Sequence, residues 1–306
     1  MRLHPGEPVD RHAVRGHRST DPLLTIRRRG MTSILRHNRL ALLGGGVLLL
    51  MVAISVAASW IASTDPAMMQ PRMRLTPPGE AFLLGTDALG RDVYSRVVHG
   101  SRMSLAIGAL VVLITIAIGT LIGLVAGASR IMDRVLMRIM DGVMAIPGIL
   151  LAVALVSLFG ASLASVVIAI AVPEIPRVVR LVRSVVLSVR EEPYVEAAVG
   201  LGVPYPKVVW RHILPNCFVP LIVQASYVFA AAILLEAVLG FLGVGFPPEI
   251  PTFGNILAEA RPVFQRAPWA TVAPGLLLAV TVLAVNLLGD GLRDSLDPKL
   301  ARRAND

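Results

Sequence analysis

The stretch SLAIGALVVLITIAIGTLIGLVA, Ser104 to Ala126, decides the fold. It contains no charged residue, and an apolar helix of about 20 residues, rising 1.5 Å per residue, crosses a hydrocarbon core of about 30 Å. Comparable runs lie on both sides of it: Leu40–Ile61 before it, then residues 141–159, 163–183, 218–242 and 270–288. None alternates with the period of two that a membrane barrel requires. The composition agrees, with 55% hydrophobic and 16% charged residues and a mean hydropathy of +0.71, where a soluble domain carries about 25% charged residues. The fold class expected is an all-α integral membrane protein with six transmembrane helices.

The intervals between the runs organise the chain. Residues 1–39 are Arg-rich, punctuated by Pro and Gly and without apolar periodicity, and read as a disordered basic tail. Residues 40–61 form transmembrane helix 1; the run is longer than the 7–15 residues of a signal-peptide core, so a retained anchor is expected. Residues 62–103 form an outer loop. It contains the turn-like GTDALGRD and then Val93, Val97 and Val98 at helical spacing, read as an amphipathic helix on the membrane surface. Residues 104–290 form a five-helix core. Within it Arg130, Arg134 and Arg138 mark a basic turn, Pro147-Gly148 implies a kink in the third span, and Pro173 and Pro176 interrupt the fourth. Residues 291–306 are a polar tail. With the N-terminus inside, 22 of the 29 Lys and Arg residues fall on inner segments, so both termini are expected in the cytoplasm under the positive-inside rule.

Little in the chain suggests chemistry of its own. Its two lysines, Lys207 and Lys299, lie in no G-x-x-x-x-G-K-[ST] loop, and HExxH, CxxC, GxSxG and GxGxxG are missing. The single cysteine, Cys217, allows no intrachain disulfide and reads as a small packing residue. A Met-rich outer segment (Met68, Met69, Met73) reads as a loop rather than a soft-metal site. Glu236 lies within the fifth span, towards its outer half, where a charge costs about 2.5–3.5 kcal/mol and therefore faces protein or water. It is either a pathway-lining group or a structural hydrogen-bonding one.

The longest charged interval in the second half of the chain is EEPYVEAAVGLGVPYPKVVWRHILPN, Glu191 to Asn216. Pro193 and the preceding acids form a helix start. Tyr194, Ala197, Ala198 and Leu201 follow at i, i+3, i+4 and i+7, one apolar face of a short helix, and Gly202 suits a left-handed cap. A second short helix opens at Pro204 and Pro206 and is read as ending at Pro215. So short a helix is marginal alone. It either packs on the chain's own spans or docks to a partner. From the residues alone a secondary transporter or channel subunit stays open as an alternative, a membrane enzyme lacks clustered catalytic residues, and a passive scaffold is disfavoured by Glu236.

Glu196-Ala197-Ala198, then Gly202, then the distal Leu214-Pro215, resembles the EAA motif of ABC importer permeases. Together with GTDALGRDVYSRVVHGSRMSL, Ala145-Ile146-Pro147, RHILPNCFVPLIVQAS, LLEAVLGFLGVG and GDGLRDSLDP, the chain resembles the C-type permease subunit of dipeptide, oligopeptide and nickel importers over about residues 38–299. The resemblance implies a type I importer with a MetI-like core preceded by one extra N-terminal helix, in a bacterial inner membrane. It implies a homologous second (B-type) permease, two cytoplasmic ATPase subunits holding ATP and Mg, and an external substrate-binding protein; no nucleic acid and no cofactor in this chain are implied. By the same resemblance Tyr194, Glu196, Ala197, Ala198, Gly202, Leu214 and Pro215 belong to the loop that couples to the ATPase. The general motif prefers Ile two residues before Leu-Pro, where this chain has His212.

Overall fold

The computed structural model describes residues 39–296, and among these the secondary structure is helical apart from one isolated bridge between Thr86 and Asp92. The helices are α1 (Arg39–Val56), α2 (Ala58–Ile61), α3 (Val93–Ala128), α4 (Arg130–Ala145), α5 (Gly148–Phe159), α6 (Leu163–Arg190), α7 (Pro193–Gly200), α8 (Tyr205–Val208), α9 (Leu214–Phe241), α10 (Phe253–Ala260) and α11 (Trp269–Leu296). Three stretches are long and apolar enough to cross a membrane: Val93–Ala128, Tyr205–Phe241 and Trp269–Ser295. The pair α4–α5, bent by 88°, would make a fourth if it serves as one span. The basic tail expected over residues 1–38 and the end of the polar tail beyond residue 296 lie outside the described residues.

Several boundaries differ from those expected, each for a local reason. Residues 93–103 are not a separate surface helix but the first turns of α3, a single helix of 36 residues with no breaker inside it. Asp92 caps it, accepting from the Tyr94 and Ser95 backbone N–H groups at 3.3 and 3.1 Å. The basic turn at Arg130–Arg138 is helical, because its charges recur on one face of α4 and its apolar residues on another. Pro147 produces more than a kink: as the N-cap of α5, in extended conformation, it separates two helices nearly at right angles. Pro173 and Pro176 do not interrupt α6, which runs 28 residues through both. Nor does Pro215 end a helix. The π-helical turn Val209–Ile213 widens the backbone just before it, with Leu214 N–H bonding to Val209 O, and the rod runs on from Tyr205 to Phe241. Proline lacks an N–H and its ring strikes the carbonyl four residues back in a regular helix; a wider turn makes room for it.

In lipid no hydrophobic force draws helices together, so close packing through small residues carries the bundle. Gly119, Gly123 and Gly127 of α3 lie at i, i+4 and i+8 against Val178, Val182 and Val186 of α6. A Cβ on Gly123 would sit 2.7 Å from the Val182 Cβ and 2.9 Å from Val179 O. α1 docks on α11 in the same way, where Gly291 meets the Ala41 Cβ and Gly44 meets Ala284 O. The main core is formed by α3, α5, α6 and α9, around Ile107, Val156, Ile170, Val182, Val228 and Leu239. A second core joins the start of α3 to α10 and α11 through Val93, Val97, Phe253 and Ile256. Large apolar side chains such as Leu113, Leu121, Leu158 and Leu276 face outward, as a hydrocarbon surround requires.

Candidate functional site

The predicted loop sits where α6 leaves the bundle. Arg190, the last residue of α6, donates to Gly127 O at 2.7 Å and so caps the C-terminal end of α3. Two ion pairs brace α6 above this point. Arg183 binds Asp133 with two nitrogens, and Arg180 Nη2 donates to Asp141 Oδ1 at 2.7 Å, so α4 is strapped to α6. From this braced end the chain turns through Glu191 and Glu192 into α7.

α7 starts with Pro193 at its first position and ends in a Schellman motif. Gly202 has φ of +78°, its N–H bonds Val199 O at 2.9 Å, and Val203 N–H bonds Ala198 O at 3.1 Å. A side chain at Gly202 meets no neighbour, so the backbone angle is what calls for glycine there. Val195 alone in α7 is buried, packed in the main core with Val208 and Ile213. The apolar face noted in the sequence points the other way. Tyr194, Glu196 and Ala197 are exposed, Ala198 is half-buried, and Val199, Leu201 and Trp210 extend the exposed patch, the last two to 84% and 75%. Glu191, Glu192, Lys207 and Arg211 lie exposed in the same segment. Leu214 and Pro215, by contrast, are half-buried in the first turn of α9, where they join the rod to the loop rather than form its surface. An apolar patch set among charges, on a short helix anchored by one valine, has the anatomy of a protein-docking surface.

Glu236 lies at the opposite end of the bundle, 1% exposed. Ser104 Oγ donates to its Oε2 at 2.8 Å and lies 3.4 Å from the Phe253 N–H it accepts. Thr252, the N-cap of α10, accepts from Asn255 N–H at 3.2 Å. Through Ser104, Glu236 links α9 to α3 and to the start of α10. Gly240 and Gly254 bring the α9 and α10 backbones into direct contact beside it.

No sequence signal marks the charged cluster at the other end of α10. Arg96 and Arg91, 1% and 3% exposed, both bind Glu259, with Arg96 Nη2 to Oε2 at 2.8 Å. Arg91 also binds Asp87 at 2.6 Å inside the GTDALGRD turn, whose Asp87 Oδ1 accepts from the Leu89 and Arg91 N–H groups. Arg96, Gly100 and Ser104 fall on one face of α3 and hold α10 along its length, with Gly100 against Ile256 and Thr252. Burial pushes the Glu259 carboxyl above the usual carboxylate range, against the opposing pull of the Arg96 and Arg91 guanidiniums. Glu259 stands 163 residues from Arg96, a separation no local pattern can bridge.

Residues 119–302 match the family described as binding-protein-dependent transport system inner membrane component, and residues 29–78 match the N-terminal TM domain of oligopeptide transport permease C. A probable peptide ABC transporter permease protein of Sinorhizobium fredii is 52% identical over 270 residues, 88% of this chain and 92% of that protein. A di/tripeptide transport system permease protein of Pseudomonas aeruginosa is 46% identical over 88% of this chain and 91% of its own length. A glutathione transport system permease protein of Pectobacterium atrosepticum is 42% identical over 85% and 87%. Among solved structures, the inward-facing MetNI methionine ABC transporter aligns with a TM-score of 0.53 at 19% identity, over 65% of this chain and 95% of that one, a likeness of fold. These matches make this chain a member of the binding-protein-dependent transport system inner membrane component family.

Proposed function

We propose that this chain forms one half of the translocation pathway of an ATP-driven importer for peptides or related small solutes, and that α7 is its coupling helix. The observation that carries the reading is the exposed face of α7, with Glu196, Ala197, Leu201 and Trp210 outward and Val195 alone inward. A chain with no phosphate-binding loop needs an external source of work, and a short capped helix braced against α6 is built to pass on a rigid-body movement. Peptides are favoured as cargo by the relatives named for di/tripeptide and peptide transport.

In this reading six segments span the membrane: α1 as the extra N-terminal helix, then α3, the bent pair α4–α5, α6, α9 and α11. Both termini and α7 face the cytoplasm, as the distribution of Lys and Arg favours. The partners are a homologous second permease, two ATPase subunits carrying ATP and Mg, and an external binding protein that delivers the solute to the end bearing α10. Tyr194, Glu196, Ala197, Ala198 and Gly202 form the docking element, and Leu214 and Pro215 join it to α9.

The test is uptake of labelled dipeptide by proteoliposomes holding this chain with its second permease, ATPases and binding protein. Glu196→Arg inverts a charge on the docking face, and Gly202→Pro cannot adopt a φ of +78°. Each is expected to abolish uptake while the chain still inserts at the parental level. Normal uptake by both variants would sink the coupling role.

A further inference from the structure

α7 and the rod that starts at Tyr205 form a helical hairpin closed at both ends. One end is the Gly202 turn. At the other end Asn216 Nδ2 donates to the Tyr194 hydroxyl at 3.2 Å and to His212 O at 2.6 Å. The His212 ring lies 5.9 Å from the Tyr194 ring, tilted by 56°. These three residues come from the first turn of α7, the π-helical turn, and the first turn of α9. π-turns inside helices gather at functional places, and this one sets His212 against Tyr194 while making room for Pro215.

The Gly202 turn, Val195 and the junction with α6 hold α7 to the bundle, and the Tyr194 contacts bridge its first turn directly to the first turn of α9. A push on its outer face can be taken up by rotation at Gly202, the residue least able to resist it, unless it is carried by these contacts. With them, the push passes to the first turn of α9.

We propose that His212 and Asn216 are positioning residues that hold Tyr194, fix the direction of α7 against α9, and so deliver the movement of the docked ATPase to the span rather than to the Gly202 turn. This rests on the reading of α7 as the docking helix.

The test uses the full importer in proteoliposomes with its binding protein and a dipeptide. Two quantities are measured: ATPase co-purified with this chain, and dipeptide moved per ATP hydrolysed. His212→Ala and Asn216→Ala are expected to co-purify ATPase at the parental level, because the outer face is untouched, while transport per ATP falls about fivefold, within the range that residues coupling two sites command. His212→Phe keeps a ring against Tyr194 and is expected to restore the ratio to within about twofold. Parental ratios in both alanine variants overturn the proposal. So does a His212→Phe ratio as low as that of His212→Ala, or loss of co-purified ATPase in step with transport. Failure of the unmodified chain to hold any ATPase overturns the docking reading itself and is told apart by needing no variant.

Discussion

Removing Glu259 should unsettle the protein far more than its place in the short helix α10 implies. Glu259 is the shared acceptor of Arg91 and Arg96, whose side chains are 3% and 1% exposed. In Glu259→Ala both buried guanidiniums lose the oxygen they share, an acceptor the carboxyl offers whether ionised or protonated, and only Asp87 is left to face them. Breaking a buried pair by deleting one partner costs about 3–5 kcal/mol. Glu259 itself is 24% exposed, so water can enter beside Arg91, and we expect the lower end, about 3 kcal/mol. At roughly 2–4 °C per kcal/mol for a chain of this size class, the unfolding midpoint should fall by about 10 °C.

Cys217 provides the assay. It is the only thiol in the chain and is fully buried, so a maleimide dye in detergent solution labels it only as the fold opens. The cluster also makes a sharper prediction. The upward displacement of the Glu259 carboxyl means that dehydration outweighs the pull of its partners. The double variant Arg96→Met, Glu259→Met leaves Arg91 with Asp87 and removes the dehydrated charges, so its midpoint should return to within about 3 °C of the parent. An unchanged midpoint in Glu259→Ala, or a double variant as unstable as the two single losses added, would refute the reasoning.

The same carboxyl sets a pH dependence: a group whose folded pKa is raised favours the folded state when protonated, so the midpoint of the parent relative to Glu259→Gln should decline as pH rises from about 4.3, and a flat difference would count against it. Gly123→Leu would drive a side chain into Val182 and Val179 O, separating α3 from α6; overpacking of this kind costs about 1–3 kcal/mol, read as a lower midpoint in the same dye assay, and a variant as stable as the parent would contradict the close crossing.

The candidate site was partly legible in sequence because its signals are local. Gly202, one position past the last turn of a short amphipathic helix, fits the left-handed cap that the backbone adopts. Its apolar positions were equally visible, but periodicity gives a face without saying whether that face meets the protein's own core or a partner. Val195, not the predicted apolar set, turned out to be the anchor. Proline misled three times for one reason. It forbids a backbone bond, yet neighbouring turns decide whether the helix breaks, as at Pro147, runs on, as at Pro173 and Pro176, or widens into a π-turn, as before Pro215.

Sequence by itself determined that this is a helical membrane protein, since burying so apolar a chain in water is impossible and hydrogen-bonding its backbone in lipid leaves helices as the available solution. It also determined that the chain holds no nucleotide-binding loop of the G-x-x-x-x-G-K-[ST] type, and that residues 191–216 are the longest charged interval in its second half. Only the tertiary structure decided which polar side chains meet. Glu259 finds Arg96 and Arg91, Asp133 finds Arg183, and Asn216 finds Tyr194 because packing of helices distant in sequence brings them within reach. Such pairings are set by helix crossing angles and glycine contacts, which no single helix encodes.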